Sequence, residues 1–162
     1  MDFSRIGRLE LIGVVCAAIA LLTLFFVPWF SLDESVVRDS PDDWICGVGD
    51  TSCTGWETFP ILRWILLAGA FAPLILAWIL VRGHKLSWAP GELTAVGAFA
   101  ALTLLGYNGL IDRPGSGVAE SGVGLDIGYW LALLMGAGMA YASFARSMES
   151  GGRQGRKAPG TV

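Results

Sequence analysis

Few side chains in this chain have the type and spacing to do chemistry. They are Cys46 and Cys53 in Trp44-Ile45-Cys46-Gly47-Val48-Gly49-Asp50-Thr51-Ser52-Cys53, a lone Cys16, a lone His84, and the polar cluster Thr103, Tyr107 and Asn108. Two glycines and an aspartate can turn the chain between Cys46 and Cys53, so an oxidising compartment would let them close a small disulfide ring; the other reading is two free thiols. Redox catalysis would want a strained or low-pKa pair, commonly Cys-x-x-Cys, and a second pair to pass electrons onward. Neither is present, and a structural staple is the expectation. Zinc would need two further ligands, and His84 is predicted to lie across a membrane from the pair. Asp33, Glu34, Asp39, Asp42, Asp43 and Asp50 do not follow the ladder of a calcium-binding EF-hand and read as a solvated acidic surface. No nucleophile, base or metal constellation marks an enzyme, and neither a metal nor a cofactor is expected.

The elements that position these groups are apolar. Uncharged stretches at 11–32, 64–81, 93–111 and 127–145 each hold at least 18 residues. At 1.5 Å rise per residue each approaches or reaches the roughly 30 Å of a bilayer's hydrocarbon core. Composition agrees: 54% of the 162 residues are apolar and only 15% charged, with a mean hydropathy of +0.59. The fold class read here is all-α: a polytopic membrane protein of four transmembrane helices in an antiparallel bundle. Its spans run over about 9–30, 60–81, 91–111 and 125–145 within a single domain 1–146, and an outer loop covers 31–59. Four spans leave no room for a soluble catalytic domain, and no nucleic-acid partner is implied. The first apolar run is longer than a signal peptide's and ends in Val27-Pro28-Trp29-Phe30 rather than a small-x-small cleavage site, so it reads as a retained anchor.

Basic residues give the orientation, because Lys and Arg stay on the cytoplasmic side of short loops. Arg5, Arg8, Arg82, Lys85, Arg146, Arg153, Arg156 and Lys157 fall on one side, and Arg38, Arg63 and Arg113 on the other with most of the acids. Both termini are therefore expected in the cytoplasm, in a multi-pass protein of the cell's inner membrane. Trp29, Trp56, Trp64, Tyr107, Tyr129 and Trp130 are predicted at the outer interface, and Trp78, Trp88 and Tyr141 at the inner one, where a ring keeps its polar edge wet. Pro60 and Pro90 suit first helical turns, whereas Pro73 lies inside a span and predicts a kink.

Packing and polar faces follow. Gly124, Gly128, Ala132, Gly136 and Ala140 recur every four residues, a small-xxx-small stripe on which another backbone can lie closely, from this chain or from a second subunit. No charge lies in the middle of a span, which weighs against a conducting path. Thr103, Tyr107 and Asn108 could line one, and helix-to-helix hydrogen bonding explains them at least as well. Residues 147–162 show no apolar periodicity and are predicted to form a disordered cytoplasmic tail whose basic residues favour anionic headgroups.

Two resemblances follow from these landmarks. The outer loop resembles that of claudin-type proteins in Trp29, Trp44, Cys46 and Cys53, but it lacks their Gly-Leu-Trp element and its cysteines are closer together, as convergence would give. Pro28-Trp29-Phe30, Gly55-Trp56-Glu57-Thr58-Phe59, Pro90-Gly91-Glu92-Leu93, Ile111-Asp112-Arg113-Pro114-Gly115 and Gly122-Val123-Gly124-Leu125 resemble the landmarks of small four-helix integral membrane proteins from high-GC Gram-positive (actinobacterial) bacteria. That resemblance implies a bacterial inner membrane and four helices, and no particular activity. The expected role is a structural or accessory subunit in the lipid bilayer, meeting a membrane protein partner or forming a homo-oligomer. The alternative is a small-solute transporter or channel.

Overall fold

The computed structural model describes residues 7–32, 34, 46, 50–83, 92–114 and 122–154. Its elements are α1 (Arg8–Phe26), β1 (Pro28–Leu32), β2 (Ser52–Thr54), α2 (Gly55–Thr58), α3 (Leu62–Val81), α4 (Glu92–Gly106), a wider π turn (Tyr107–Ile111), β3 (Val123–Leu125) and α5 (Ile127–Gln154). Four helices are long and apolar enough to cross a membrane.

The small sheet departs from the all-α expectation, and Pro28 is the physical reason. A proline disfavours helical backbone at the residue before it, and Val27 is extended at φ −110° and ψ 134°. Helix α1 therefore stops at Phe26 instead of running to residue 30. The aromatic and branched residues after the stop suit a pleated surface. Strand β1 lies in the middle of three, antiparallel to β2 on one side and to β3 on the other. What reads as a long outer loop thus contains two strands and a one-turn helix. That turn is set by Glu57, whose carboxylate accepts hydrogen bonds from the Thr54 N–H and the Thr54 hydroxyl, both at 2.9 Å.

Other boundaries also differ. Pro60 sits in the turn ahead of α3 rather than in its first turn. Pro73 lies inside α3, which runs through it as one helix and is closed by Gly83 at φ +76°. Helix α5 begins at Ile127, two residues beyond the expected start, because Val123–Leu125 is spent on the sheet. It continues to Gln154, so the first half of the expected disordered tail is helical. The rest of the tail, Pro90, Trp44, His84, Trp88 and most of the acidic loop lie outside the described residues.

Helix α1 packs most extensively along α5, α5 along α4, and α3 against α1 and α4. The helices differ in how far they are enclosed: 39% of the α5 span is buried in the protein and only 6% of the α3 span. The main core lies at the sheet end, where Leu24, Trp29, Phe30, Leu32, Phe59 and Tyr129 are among the buried side chains. A second, smaller core of Ala17, Ala98, Met139 and Ala140 sits within the bundle.

Candidate functional site

The most elaborated part of the molecule is the cap where the sheet closes the four-helix bundle. Trp29 is 1% exposed and Tyr129 0%, so neither ring lies at an interface as expected. Each polar edge is satisfied inside the protein: Trp29 Nε1 donates to the Thr23 carbonyl at 2.8 Å, and Tyr129 Oη donates to the Leu105 carbonyl at 3.1 Å. Their rings meet edge to face at 6.3 Å, Phe59 packs on Trp29, Phe30 packs on Tyr129, and the two phenylalanines meet each other. Such pairs add about 0.5–1.5 kcal/mol each beyond area burial.

Close backbone approach makes room for these rings. A methyl group on Gly55 would stand 2.6 Å from the Trp29 ring. One on Gly128 would overlap the Pro28 carbonyl and Trp29, and one on Gly109 would overlap the Tyr129 ring. Gly109 belongs to the π turn, whose wider coil is closed by the Asp112 N–H bonding to the Tyr107 carbonyl at 2.9 Å. The Trp29 carbonyl accepts from the Asp126 N–H at 2.9 Å, tying the strand to the start of α5. On the sheet's edge, Arg113 Nη1 donates to the Val123 carbonyl at 3.1 Å.

Cys46 and Cys53 are joined in a disulfide with their Cα atoms 5.5 Å apart. Cys53 is buried in β2 beside Phe30, and its sulfur lies 3.1 Å from the Thr58 hydroxyl, which in turn donates to the Thr54 carbonyl. The disulfide is thus fixed to the core. Arg63, at the start of α3, lies over the rings of Trp56 at 4.8 Å and Trp64 at 5.7 Å and donates to the Trp56 carbonyl at 3.3 Å. Trp64, Tyr107 and Trp130 are half exposed or more, as interfacial rings would be.

At the opposite end an ion pair joins α1 to α5. Arg146 Nη2 lies 3.0 Å from Glu10 Oε1, and their side chains are 12% and 16% exposed. Between the two ends the bundle encloses an apolar void of about 30 Å³, roofed by Trp29 and Leu24 and lined mostly by alanine and glycine.

The small-residue stripe is divided. Gly128 faces Pro28 and Trp29, Gly136 faces Leu102 of α4, and Ala132 and Ala140 are buried in the chain's own cores. Gly124 is not on the helix at all but in β3, beside Ser31. The polar cluster does not come together round a path. Thr103 points outward from α4 and Tyr107 from the π turn that continues it, where Asn108 is half-buried. Thr103 Oγ1 and Asn108 Nδ2 each bond to a carbonyl four residues back on the same helix, at 2.8 Å, rather than to another helix. Cys16 packs against Gly138 within the bundle. No group of three or more metal-ligating side chains is found among the described residues.

Sequence reasoning missed the buried Trp29 and Tyr129, since a tryptophan after an apolar run reads as an interfacial anchor. The available signal was Pro28 followed by a short β-prone stretch, with glycines at 55, 109 and 128 able to admit large rings. Comparison with protein-family models, with curated proteins and with solved structures gave no match, so the functional reading rests on this chain's own geometry.

Proposed function

We propose that this chain is a structural or accessory subunit of a bacterial inner membrane. Its four helices form an antiparallel bundle with both termini cytoplasmic, and the disulfide-closed cap stands outside to meet a membrane protein partner. The observation that carries this reading is the cap itself. Its rings, its hydrogen bonds and the buried Cys53 are all spent on holding one shape, while the void below is apolar and small. A packed, disulfide-closed surface on a bundle that has no polar path among the described residues suits binding rather than conduction or catalysis. The exposed apolar and aromatic side chains of Phe26, Ile61, Trp64, Ile111, Ile127 and Trp130 at the helix ends nearest the sheet support an interface at that level.

Crosslinking in the native membrane, gentle detergent extraction and mass spectrometry of the captured material test the proposal. A stoichiometric larger membrane protein, crosslinked through the cap, is the expected result. A monodisperse monomer with no captured partner sinks it.

A further inference from the structure

The seam between α3 and α4 holds two apolar spaces that the accessory reading leaves unused. Near the sheet end an open groove of about 300 Å³ is lined by Phe59, Pro60, Ile61, Leu62, Ile65, Leu104 and Asn108. One turn further along the same two helices, Leu66, Gly69 and Ala70 of α3 and Ala98, Ala101 and Leu105 of α4 wall the central void. The two helices approach closely at this level, where a methyl on Gly69 would rest 3.5 Å from the Ala101 methyl. Helix α3 is also the least enclosed of the four.

The groove has a direction. Among its described lining residues Asn108 alone is polar and sits at the end beside Tyr107, while Ile65 and Leu104 continue the groove as apolar surface toward the middle of the helices. A membrane lipid has that same sequence of polarity, an ester region at the interface followed by an acyl chain running inward. A water-soluble ligand would find one amide and no charge there, and a flat partner surface would leave the recess unfilled.

We propose that the α3–α4 seam is a lipid site, in which one acyl chain of a phospholipid from the leaflet at the sheet end lies in the groove with its ester region at Asn108. The proposal rests on the membrane-spanning reading, and its test separates the two. The protein is reconstituted into phosphatidylglycerol vesicles containing a phosphatidylglycerol with a diazirine in one acyl chain. The vesicles are washed with alkaline carbonate, the freely exchanging annulus is diluted with unlabelled lipid, and the sample is irradiated and mapped by mass spectrometry.

Adducts are expected at Ile65 and Leu104 at about tenfold the density at Leu134 and Tyr141, exposed residues of α5 away from the α3–α4 seam. Leu104→Trp, which fills the recess from a partly exposed position, removes the seam adducts and leaves those at Leu134 unchanged. Even labelling over all exposed faces, or seam adducts indifferent to Leu104→Trp, overturns the lipid site. Seam adducts that vanish as the protein-to-lipid ratio is raised, while those at Leu134 persist, overturn it in favour of a second copy covering the seam. Release of the protein by carbonate overturns the membrane-spanning reading itself.

Discussion

The two ends of the bundle are held in different ways. At the sheet end a strand inserted between α1 and the rest of the chain brings Trp29, Phe30, Phe59 and Tyr129 into one aromatic cluster, with a disulfide fastened to its rim. At the other end α1 and α5 meet through Glu10 and Arg146 alone among the described ion pairs. Large aromatic side chains have opposite fates: Trp29 is buried while Trp64 is 57% exposed, and Tyr129 is buried while its sequence neighbour Trp130 is 50% exposed. Hydrophobicity does not separate them. Backbone pairing does, because β1 turns Trp29 under the sheet and leaves the α3 tryptophan facing outward.

The largest effect is expected where that comparison is sharpest. Trp29→Ala removes a fully buried ring and orphans its bond to Thr23, and should lower stability by about 3–5 kcal/mol in a denaturant titration of the purified protein in mild detergent. Trp64→Ala loses only exposed contacts with Arg63 and Trp56 and should cost about 1 kcal/mol at most. Equal losses from the two would dissolve the distinction between cap and surface.

Opening the disulfide comes next. Replacing both Cys46 and Cys53 by serine frees a short ring with a sequence separation of 7, and chain entropy puts the loss at about 2.5 kcal/mol. An unchanged midpoint would mean that the cap is held by packing alone. The far end is probed by Glu10→Gln, expected to cost about 2 kcal/mol as a charged hydrogen bond is lost. A double cycle with Arg146→Gln should recover most of that as coupling, and additive losses would show that the pair does not join the helices.

Smaller still, Tyr129→Phe leaves the Leu105 carbonyl without its side-chain donor and should cost about 1 kcal/mol, with the ring packing kept. Thr103→Val sits at the bottom of the scale, within about 0.5 kcal/mol, since its hydroxyl serves only its own helix at an exposed position. A large effect there would bring back an interhelical role for the polar cluster.

The sequence by itself determined the four long apolar helices and roughly where they run, because an uncharged run of that length has few other ways to satisfy its backbone. It also determined that Cys46 and Cys53 could be bridged, and that Gly128, Ala132, Gly136 and Ala140 share one smooth helix face. These are local properties, readable from spacing. The tertiary structure alone decided that residues 28–32, 52–54 and 123–125, far apart in the chain, form one sheet. No period within three- to five-residue segments reveals their partners, which are chosen by long-range pairing and by the rings they enclose. It also decided that Trp29 and Tyr129 lie inside the protein while Thr103 and Tyr107 face out. An aromatic or hydroxyl side chain near a helix end fits either environment, and what selects one is whether a carbonyl such as that of Thr23 or Leu105 waits within the core to accept its proton.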